Sequence, residues 1–237
     1  MAVIHRTTLT PNKLELLSTW LPTQPWSRCE GREPVLAKAG GFRLDDPEAA
    51  VGIEFMVVTD SSGDQPLTYH VPLTYRGAPL DGAGQALIGT AEHGVLGRRW
   101  VYDGTHDPVL VAQLLALMTG GAEPQAQSLS DTPDPTVTGH FAPAGHGPLT
   151  GTTAVTNGPH GTDLLVRTSA AVGSAASADL TIRVNRVLGS DAGDAPASAA
   201  EPLGHVTANW LLPDGTTARG LFAVAYDAAR ADSDQAR

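Results

Sequence analysis

The sequence has little cysteine, little lysine and no long apolar run. Its only cysteine is Cys29, so no internal disulfide can form and no cysteine cluster can bind zinc. No apolar segment approaches the roughly 18 residues that span a bilayer. The N-terminus also lacks the charged segment followed by an apolar one that begins a signal peptide. We therefore expect a cytoplasmic protein that does not contact a membrane.

The charge balance excludes another class of partner. The 237 residues carry a formal net charge of −10, which repels nucleic acid and anionic lipid. Lys13 and Lys38 are the only lysines, although sites that hold phosphate often use this residue. The length and the 41% hydrophobic content allow one large domain or two small ones with a buried core.

The first half of the chain shows both helical and strand patterns. Thr10 as N-cap and Pro11 at the first helical position predict a helix near the N-terminus. Alternation of apolar and polar residues predicts antiparallel strands over about 35–44, 50–59 and 67–75. This half is therefore expected to be α+β.

The stretch RRWVYDGTHDPVLVAQLLALMTGG, residues 98–121, contains a group of titratable side chains. Asp103, His106 and Asp107 bring two carboxylates and an imidazole together, as a metal site or an acid–base pair would. Asp107 also precedes Pro108 at the start of an apolar periodic segment, which is typical of a helix N-cap. We favour structural capping and keep the metal or acid–base site as the alternative.

The composition changes after the predicted second helix. Residues 126–136 are polar and rich in proline and are predicted to form a linker between a domain at 1–125 and a β-rich module at 137–228. Residues 229–237 are expected to be a frayed tail. The sequence contains no internal repeat.

Other groups that could carry chemistry have simpler interpretations. Cys29 lies near arginines that would lower its pKa, but a lone cysteine in a polar loop is more often incidental. Three histidines are scattered among glycines, where surface positions are commoner than metal sites: His140, His146 and His160. Four tryptophans could stack on a sugar, but core packing is the default: Trp20, Trp26, Trp100 and Trp210.

Several segments in the first half resemble a known family. STWLPTQPWSRCEGR, IEFMVVTD, PLTYHVPLTYR and VYDGTHDPVLVAQLLALM resemble, in the same order, the N-terminal cap of bacterial maltokinases, which phosphorylate maltose in the trehalose–glycogen pathway. The resemblance covers residues 1 to about 130. It implies a cystatin-like α+β cap, in which a curved antiparallel sheet packs with helices.

The second half is similar to the family only in outline. The resemblance implies a β-rich lobe that holds ATP, with a lysine on one strand, but TIRVNRVL offers Arg183 at that position. Arginine cannot reproduce the compact ammonium that pairs with nucleotide phosphates. None of the eight histidines is followed two residues later by aspartate, so the His-x-Asp catalytic loop of such kinases is absent. The β-rich module therefore resembles a degenerate kinase N-lobe, with no catalytic residue, metal or cofactor expected.

The resemblance implies a free-standing, non-catalytic relative of the maltokinase cap, linked to maltose, trehalose or α-glucan metabolism. The expected mode of action is binding to a protein partner, such as an enzyme of the α-glucan or trehalose pathway, or self-association. One alternative is a component of a sugar or amino-sugar kinase whose catalytic lobe lies on another chain. A second alternative is a carbohydrate-binding module.

Overall fold

The computed structural model describes residues 8–142, 146–159, 161–170, 178–189 and 202–228. The predicted tail at 229–237 and His160 lie outside these residues. In chain order the strands are β1 (Leu9–Thr10), β2 (Leu36–Leu44), β3 (Val51–Asp60), β4 (Leu67–Arg76), β5 (Leu87–His93), β6 (Gly97–Asp103), β7 (Gln125–Ala126), β8 (Thr138–Phe141), β9 (His146–Gly158), β10 (Gly161–Ala170), β11 (Ala178–Asn185), β12 (Val187–Leu188), β13 (Gly204–Leu211) and β14 (Thr217–Asp227).

The first helix, α1 (Lys13–Trp20), begins later than the sequence analysis predicts. Asn12, not Thr10, is the N-cap, because its side chain accepts from the Glu15 amide while the Glu15 carboxylate accepts from the Asn12 amide. This reciprocal capping box satisfies two free amides at once. The helix buries Leu17 and Trp20 against the sheet.

The second helix, α2 (Pro108–Met118), begins as predicted. Asp107 is the N-cap, its carboxylate accepts from the Val109 amide, and Pro108 occupies the first turn, where no amide donor is needed. Strand β8 passes so close to this helix that a Cβ atom on Gly139 would collide with the Leu117 carbonyl oxygen. A short 3-10 turn, Gly104–His106, joins β6 to α2.

The strands form one 14-stranded sheet with the order β1-β5-β6-β4-β3-β2-β13-β14-β11-β10-β9. Strands β7 and β8 pair at the side of this path, with β2 and β13 respectively. Strand β12 follows β11 after a single residue, Arg186, and pairs with β4. The pairing therefore closes a circuit through β4, β3, β2, β13, β14 and the β11–β12 segment. Strands β2 and β13 pair through a single residue pair, Gly40 and Trp210, so this is the shortest pairing in the circuit.

The prediction of an α+β fold of cystatin-like type is wrong. The structure is mostly antiparallel sheet, and α1 and α2 span only 8 and 11 residues. The individual strands were predictable from alternation. Their partners were not, because a period-2 pattern shows which face of a strand is buried and does not show which strand lies at its edge.

Two large clusters of buried side chains lie on opposite faces of β3. The α1 cluster contains α1 and its neighbours, including Trp26, Met56, Val58 and Tyr69, and all its fully buried members come from residues 17–101. The α2 cluster combines both halves of the chain. Its members include Phe42 and Phe55 from the first half and, from the second half, Leu164, Val166, Leu180, Ile182, Val184, Val206, Trp210 and Phe222.

The segment predicted as a linker is attached to the sheet by side-chain hydrogen bonds. The Arg43 guanidinium donates to the carbonyl oxygens of Ala126 and Leu129, at 3.1 and 2.9 Å. The Gln127 amide donates to Glu54 at 2.8 Å. The division into domains at 125 and 137 stays a prediction, to be tested by the fragment experiment in the Discussion.

Within the described residues, neither helix has the length and apolarity that a bilayer-crossing helix needs.

Candidate functional site

The end of β6 places Asp103 in the interior, beside an arginine from the second half of the chain. The Asp103 side chain is 2% exposed, and its oxygens accept from Arg186 Nη2 at 2.6 and 2.8 Å. The Thr105 hydroxyl also donates to Asp103, at 2.8 Å. Because the carboxylate is fully occupied by donors on the protein, it forms a buried ion pair and is not open to a ligand.

Arg186 is itself fully buried between the two halves of the chain. Its Nε donates to the Thr162 hydroxyl at 2.8 Å, and its guanidinium carbon lies 4.9 Å from the centre of the Trp26 ring. Among the described residues, its Nη1 atom has no hydrogen-bond partner. The position of Arg186, between β11 and β12, ties the second half of the chain to Asp103 of the first half.

Asp107 combines the predicted cap with an ion pair that the sequence analysis did not anticipate. Arg76 on β4 donates through Nε and Nη2 to the two Asp107 oxygens, at 2.6 and 2.7 Å. The hydrogen bond and the charge of Asp107 raise the pKa of the Arg76 guanidinium against the opposing effect of burial. The same carboxylate caps α2 through the Val109 amide at 3.0 Å. The predicted capping role is therefore confirmed.

His106 is the member of the predicted group that faces an opening. It is half-buried and lines a cleft of about 350 Å³ together with Gln85, Thr105, Pro108 and four consecutive residues of β9, Thr152, Thr153, Ala154 and Val155. Burial lowers the pKa of the His106 imidazole, and the charge of Arg186 lowers it further, while Asp103 opposes both. The structure thus brings the three predicted side chains close together but directs both carboxylates to arginines.

A metal site built on this group would have to compete with those arginines. Within the part of the chain that the structure describes, no three histidine, cysteine, aspartate or glutamate side chains are arranged to hold a metal ion. A metal ion would have to displace Arg186 from Asp103 and Arg76 from Asp107, and both arginines keep their charge at physiological pH. The geometry supports structural pairing more directly than acid–base chemistry.

Arg183, proposed to stand where an ATP-binding lysine would be, is held by its neighbour on β10. Its Nε and Nη2 atoms donate to the two Asp163 oxygens at 2.7 and 2.8 Å. The hydrogen bond and charge of Asp163 raise the pKa of the guanidinium despite partial burial. The two residues are directly opposite each other in the ladder, so this is a cross-strand ion pair.

Sequence reasoning missed a buried carboxylate, Glu54, on the α1 side of β3. It accepts from the Lys13 ammonium at 2.6 Å, the Tyr75 hydroxyl at 2.5 Å and the Gln127 amide at 2.8 Å. Burial raises the pKa of the Glu54 carboxyl, but the charge of Lys13 and these hydrogen bonds outweigh it and hold the pKa below its usual range. The sequence did contain a signal for this buried carboxylate, because Glu54 lies inside the apolar segment GIEFMVV.

Sequence reasoning also missed His70, which is completely buried on the other face of β4. Its Nδ1 donates to the Asn185 carbonyl oxygen at 2.9 Å, and its ring lies 5.9 Å from Phe55 and 4.4 Å from Phe222. Its Nε2 has no partner among the described residues. Burial lowers the pKa of His70 to about 3, and Arg186 acts in the same direction. The imidazole is therefore neutral and packs as a ring between the two halves of the chain.

Cys29 and three of the four tryptophans lie in the interior. Cys29 is buried, and burial raises the pKa of its thiol, which opposes a nucleophilic role. Trp20, Trp26 and Trp210 are buried, as core packing requires. The rings of His140 and His205 lie side by side on paired strands, tilted by 41°, with their centres 5.6 Å apart.

The comparisons with known proteins agree with the resemblance found in the sequence. Residues 20–107 match the family model of the maltokinase N-terminal cap domain. The match begins at the end of α1 and ends at the N-cap of α2, so it includes the complete junction with Asp103, His106 and Asp107. No curated protein sequence matches the chain. Residues 20–107 are therefore similar to the maltokinase N-terminal cap domain.

Proposed function

We propose that this chain is a non-catalytic module related to the maltokinase cap, and that it acts in the cytoplasm by binding a protein partner. The link to maltose, trehalose or α-glucan metabolism comes from the family of the cap domain and belongs to the same proposal. The observation that carries the non-catalytic role is the pairing of its candidate catalytic groups. Asp103, Asp107 and Arg183 are each engaged by an oppositely charged side chain.

This pairing opposes a phosphotransfer role. Such a reaction needs a positioned metal ion, a catalytic carboxylate and a cation on the phosphates. Arg183 would have to leave Asp163 before it could reach a phosphate, and the two are joined by a bidentate, charge-assisted interaction. The kinase-component alternative therefore lacks a free cation at the expected position.

The carbohydrate-binding alternative also lacks a specific feature in its favour. Sugar-binding modules commonly stack a sugar on an exposed aromatic face. Three of the four tryptophans are buried, and the large apolar side chains that are exposed among the described residues are aliphatic: Val35, Val95, Leu96, Leu129 and Leu211. A protein partner is the better-supported ligand class.

Calorimetry with Mg-ATP, run beside a turnover assay with maltose, glucose and glucosamine, tests the non-catalytic role. We expect no turnover and no ATP affinity in the micromolar range. The matched variant Asp163→Asn releases Arg183 from its partner and should also give no turnover. Phosphorylation of any of the three sugars by the wild-type chain would refute the proposal, and micromolar ATP binding lost in Arg183→Ala would revive the kinase component.

A further inference from the structure

One end of the strand order is formed by a long strand, β9. Strand β9 spans 13 residues and, among the described residues, pairs only with β10. At the other end of the order, β5 is partly covered, because β1 pairs with Glu92 and His93. No described strand pairs with the outer edge of β9, and the amide and carbonyl groups of such an edge are a template for another strand.

Strand β9 has no charged residue to protect this edge, and its one proline, Pro148, lies outside the segment Ala154–Gly158. Natural edge strands usually carry lysine or other charges that discourage strand addition. No aspartate, glutamate, lysine or arginine occurs from 146 to 158. The segment Ala154–Gly158 pairs with β10 in regular register, with Val155 opposite Leu164 and Thr156 opposite Asp163. This part of the edge is uncharged and regular.

The cleft beside His106 lies along this edge. Ala154 and Val155 pair with β10 in regular register and so point to opposite faces of β9, and both line the cleft, which therefore follows the edge of the strand and not one of its faces. Gln85, His106 and Pro108 form the opposite wall. The β9–β10 register shifts between Leu165 and Val166, so a β-bulge lies within the cleft. Bulges are common where a sheet edge carries a functional site.

We propose that the β9 edge and this cleft bind a single extended, basic peptide segment of a partner protein by β-strand addition. The proposal rests on the proposed function as a protein-binding module and names the kind of partner. The main chain of Ala154–Gly158 supplies the hydrogen bonds, and the wall formed by Gln85 and His106 contacts the side chains of the added strand.

The charge of the chain selects this occupant over a second copy. The net charge of −10 makes two copies repel each other and attracts a cationic segment. A basic peptide with an uncharged, β-branched centre suits both this charge and the uncharged edge of Ala154–Gly158.

The test uses an acetylated nonapeptide of sequence KKTVTVTKK as probe. Its control has the same sequence and charge but N-methyl groups on its five central amides, which removes the donors needed for strand addition. Amide chemical shifts of the protein are recorded as peptide is added. We expect saturable shifts centred on residues 152–158 with the first peptide and at least tenfold weaker binding of the N-methylated one. Equal affinity for both peptides, shifts elsewhere, or no binding at millimolar concentration would overturn the proposal.

Three variants locate the site. Ala154 is exposed on β9 and lines the cleft, whereas Leu211 is exposed at the end of β13 and does not line it. Ala154→Trp should weaken peptide binding at least tenfold, whereas the control Leu211→Trp should leave it within about twofold. Gln85→Trp, from the opposite wall, should have the same effect as Ala154→Trp and does not alter the strand. Unchanged binding in Ala154→Trp and Gln85→Trp would refute the site, and the turnover assay judges the non-catalytic role independently of this outcome.

Discussion

The cap region, residues 20–107, and the region from 138 to 227 share one sheet but bury it differently. In the cap region, β3 is buried on both faces, with the α1 cluster on one side and the α2 cluster on the other. In the second region, β13 alternates between buried and partly exposed residues, so only one face is in the core. The cap region therefore has a core of its own, whereas the second region depends on the α2 cluster that the two share.

The ion pairs of the two regions differ in the same way. Arg186–Asp103 joins the regions with side chains only 0% and 2% exposed. Arg183, three residues before Arg186, pairs with Asp163 within the second region. The side chains of this pair are 24% and 33% exposed. The first pair is positioned to hold the regions together. The second has water as an alternative partner.

Separating the regions should have the largest effect. A fragment of residues 1–125 keeps the α1 cluster but leaves its half of the α2 cluster, including Phe42, Phe55 and Leu114, without a cover. The shared core predicts that this fragment exposes apolar surface and binds a hydrophobic dye, although proteolysis will still cut first in the polar segment 120–136. A fragment with dispersed amide signals and a cooperative unfolding transition would instead confirm the domain boundary predicted from the sequence.

The two arginines should respond very differently to substitution. Arg186→Met leaves the Asp103 carboxylate buried without a counter-charge, which costs about 3–5 kcal/mol of unfolding free energy. Arg183→Met is the matched control and should cost less than about 1 kcal/mol, because Asp163 can be solvated. Urea unfolding of both variants measures the difference. Similar losses of unfolding free energy in the two variants would show that the Arg186–Asp103 pair contributes no more to stability than the Arg183–Asp163 pair.

The pH dependence of stability tests the packing of His70 between the regions. The unfolded chain binds a proton at this position below about pH 6.5, whereas the native chain does not until about pH 3. The unfolded state therefore gains protons first, and the stability present above pH 6.5 is lost as the pH falls. Relative to His70→Phe, the wild type should lose about 2–3 kcal/mol between pH 6.5 and 4. Parallel stability curves for the two proteins would show that the imidazole is not neutralised by burial.

The smallest expected effect is the difference in stability between two variants of Asp107, which distinguishes its role as N-cap from its ion pair with Arg76. Asp107→Asn keeps a side-chain oxygen for the Val109 amide but loses the charge facing Arg76. Asp107→Ala loses both. The alanine variant should therefore be less stable than the asparagine variant by about 1 kcal/mol, the usual contribution of an N-cap. Equal stabilities would mean that the ion pair, and not the cap, accounts for the whole role of Asp107.

Local features of the fold follow from the sequence where short-range chemistry decides them. The strands predicted at about 35–44, 50–59 and 67–75 lie at Leu36–Leu44, Val51–Asp60 and Leu67–Arg76. The N-cap at Asp107 was also predictable, because an aspartate before a proline and an apolar period is a local signal. The error at α1 was avoidable, since Asn12 and Glu15 have the spacing of a capping box.

Long-range partners did not follow from the sequence. Asp103 and Arg186 are 83 residues apart, and nothing in either segment indicates the other. Without Arg186, the group of Asp103 and His106 resembles a metal or acid–base site. The arrangement of β12 against β4, which brings the arginine there, depends on how the whole sheet closes. The role of Asp103 therefore depends on its contact with Arg186, which neither composition nor periodicity predicts.

The central claim is that the Asp103 junction holds the two regions together. The most direct test is a double-mutant cycle with Asp103→Asn, Arg186→Met and the double variant, measured by urea unfolding. If the two side chains form a buried pair between regions, the coupling energy should be about 2–3 kcal/mol and every variant should unfold in a single transition. A coupling energy below about 0.5 kcal/mol would show that Asp103 and Arg186 act independently, and would contradict the account.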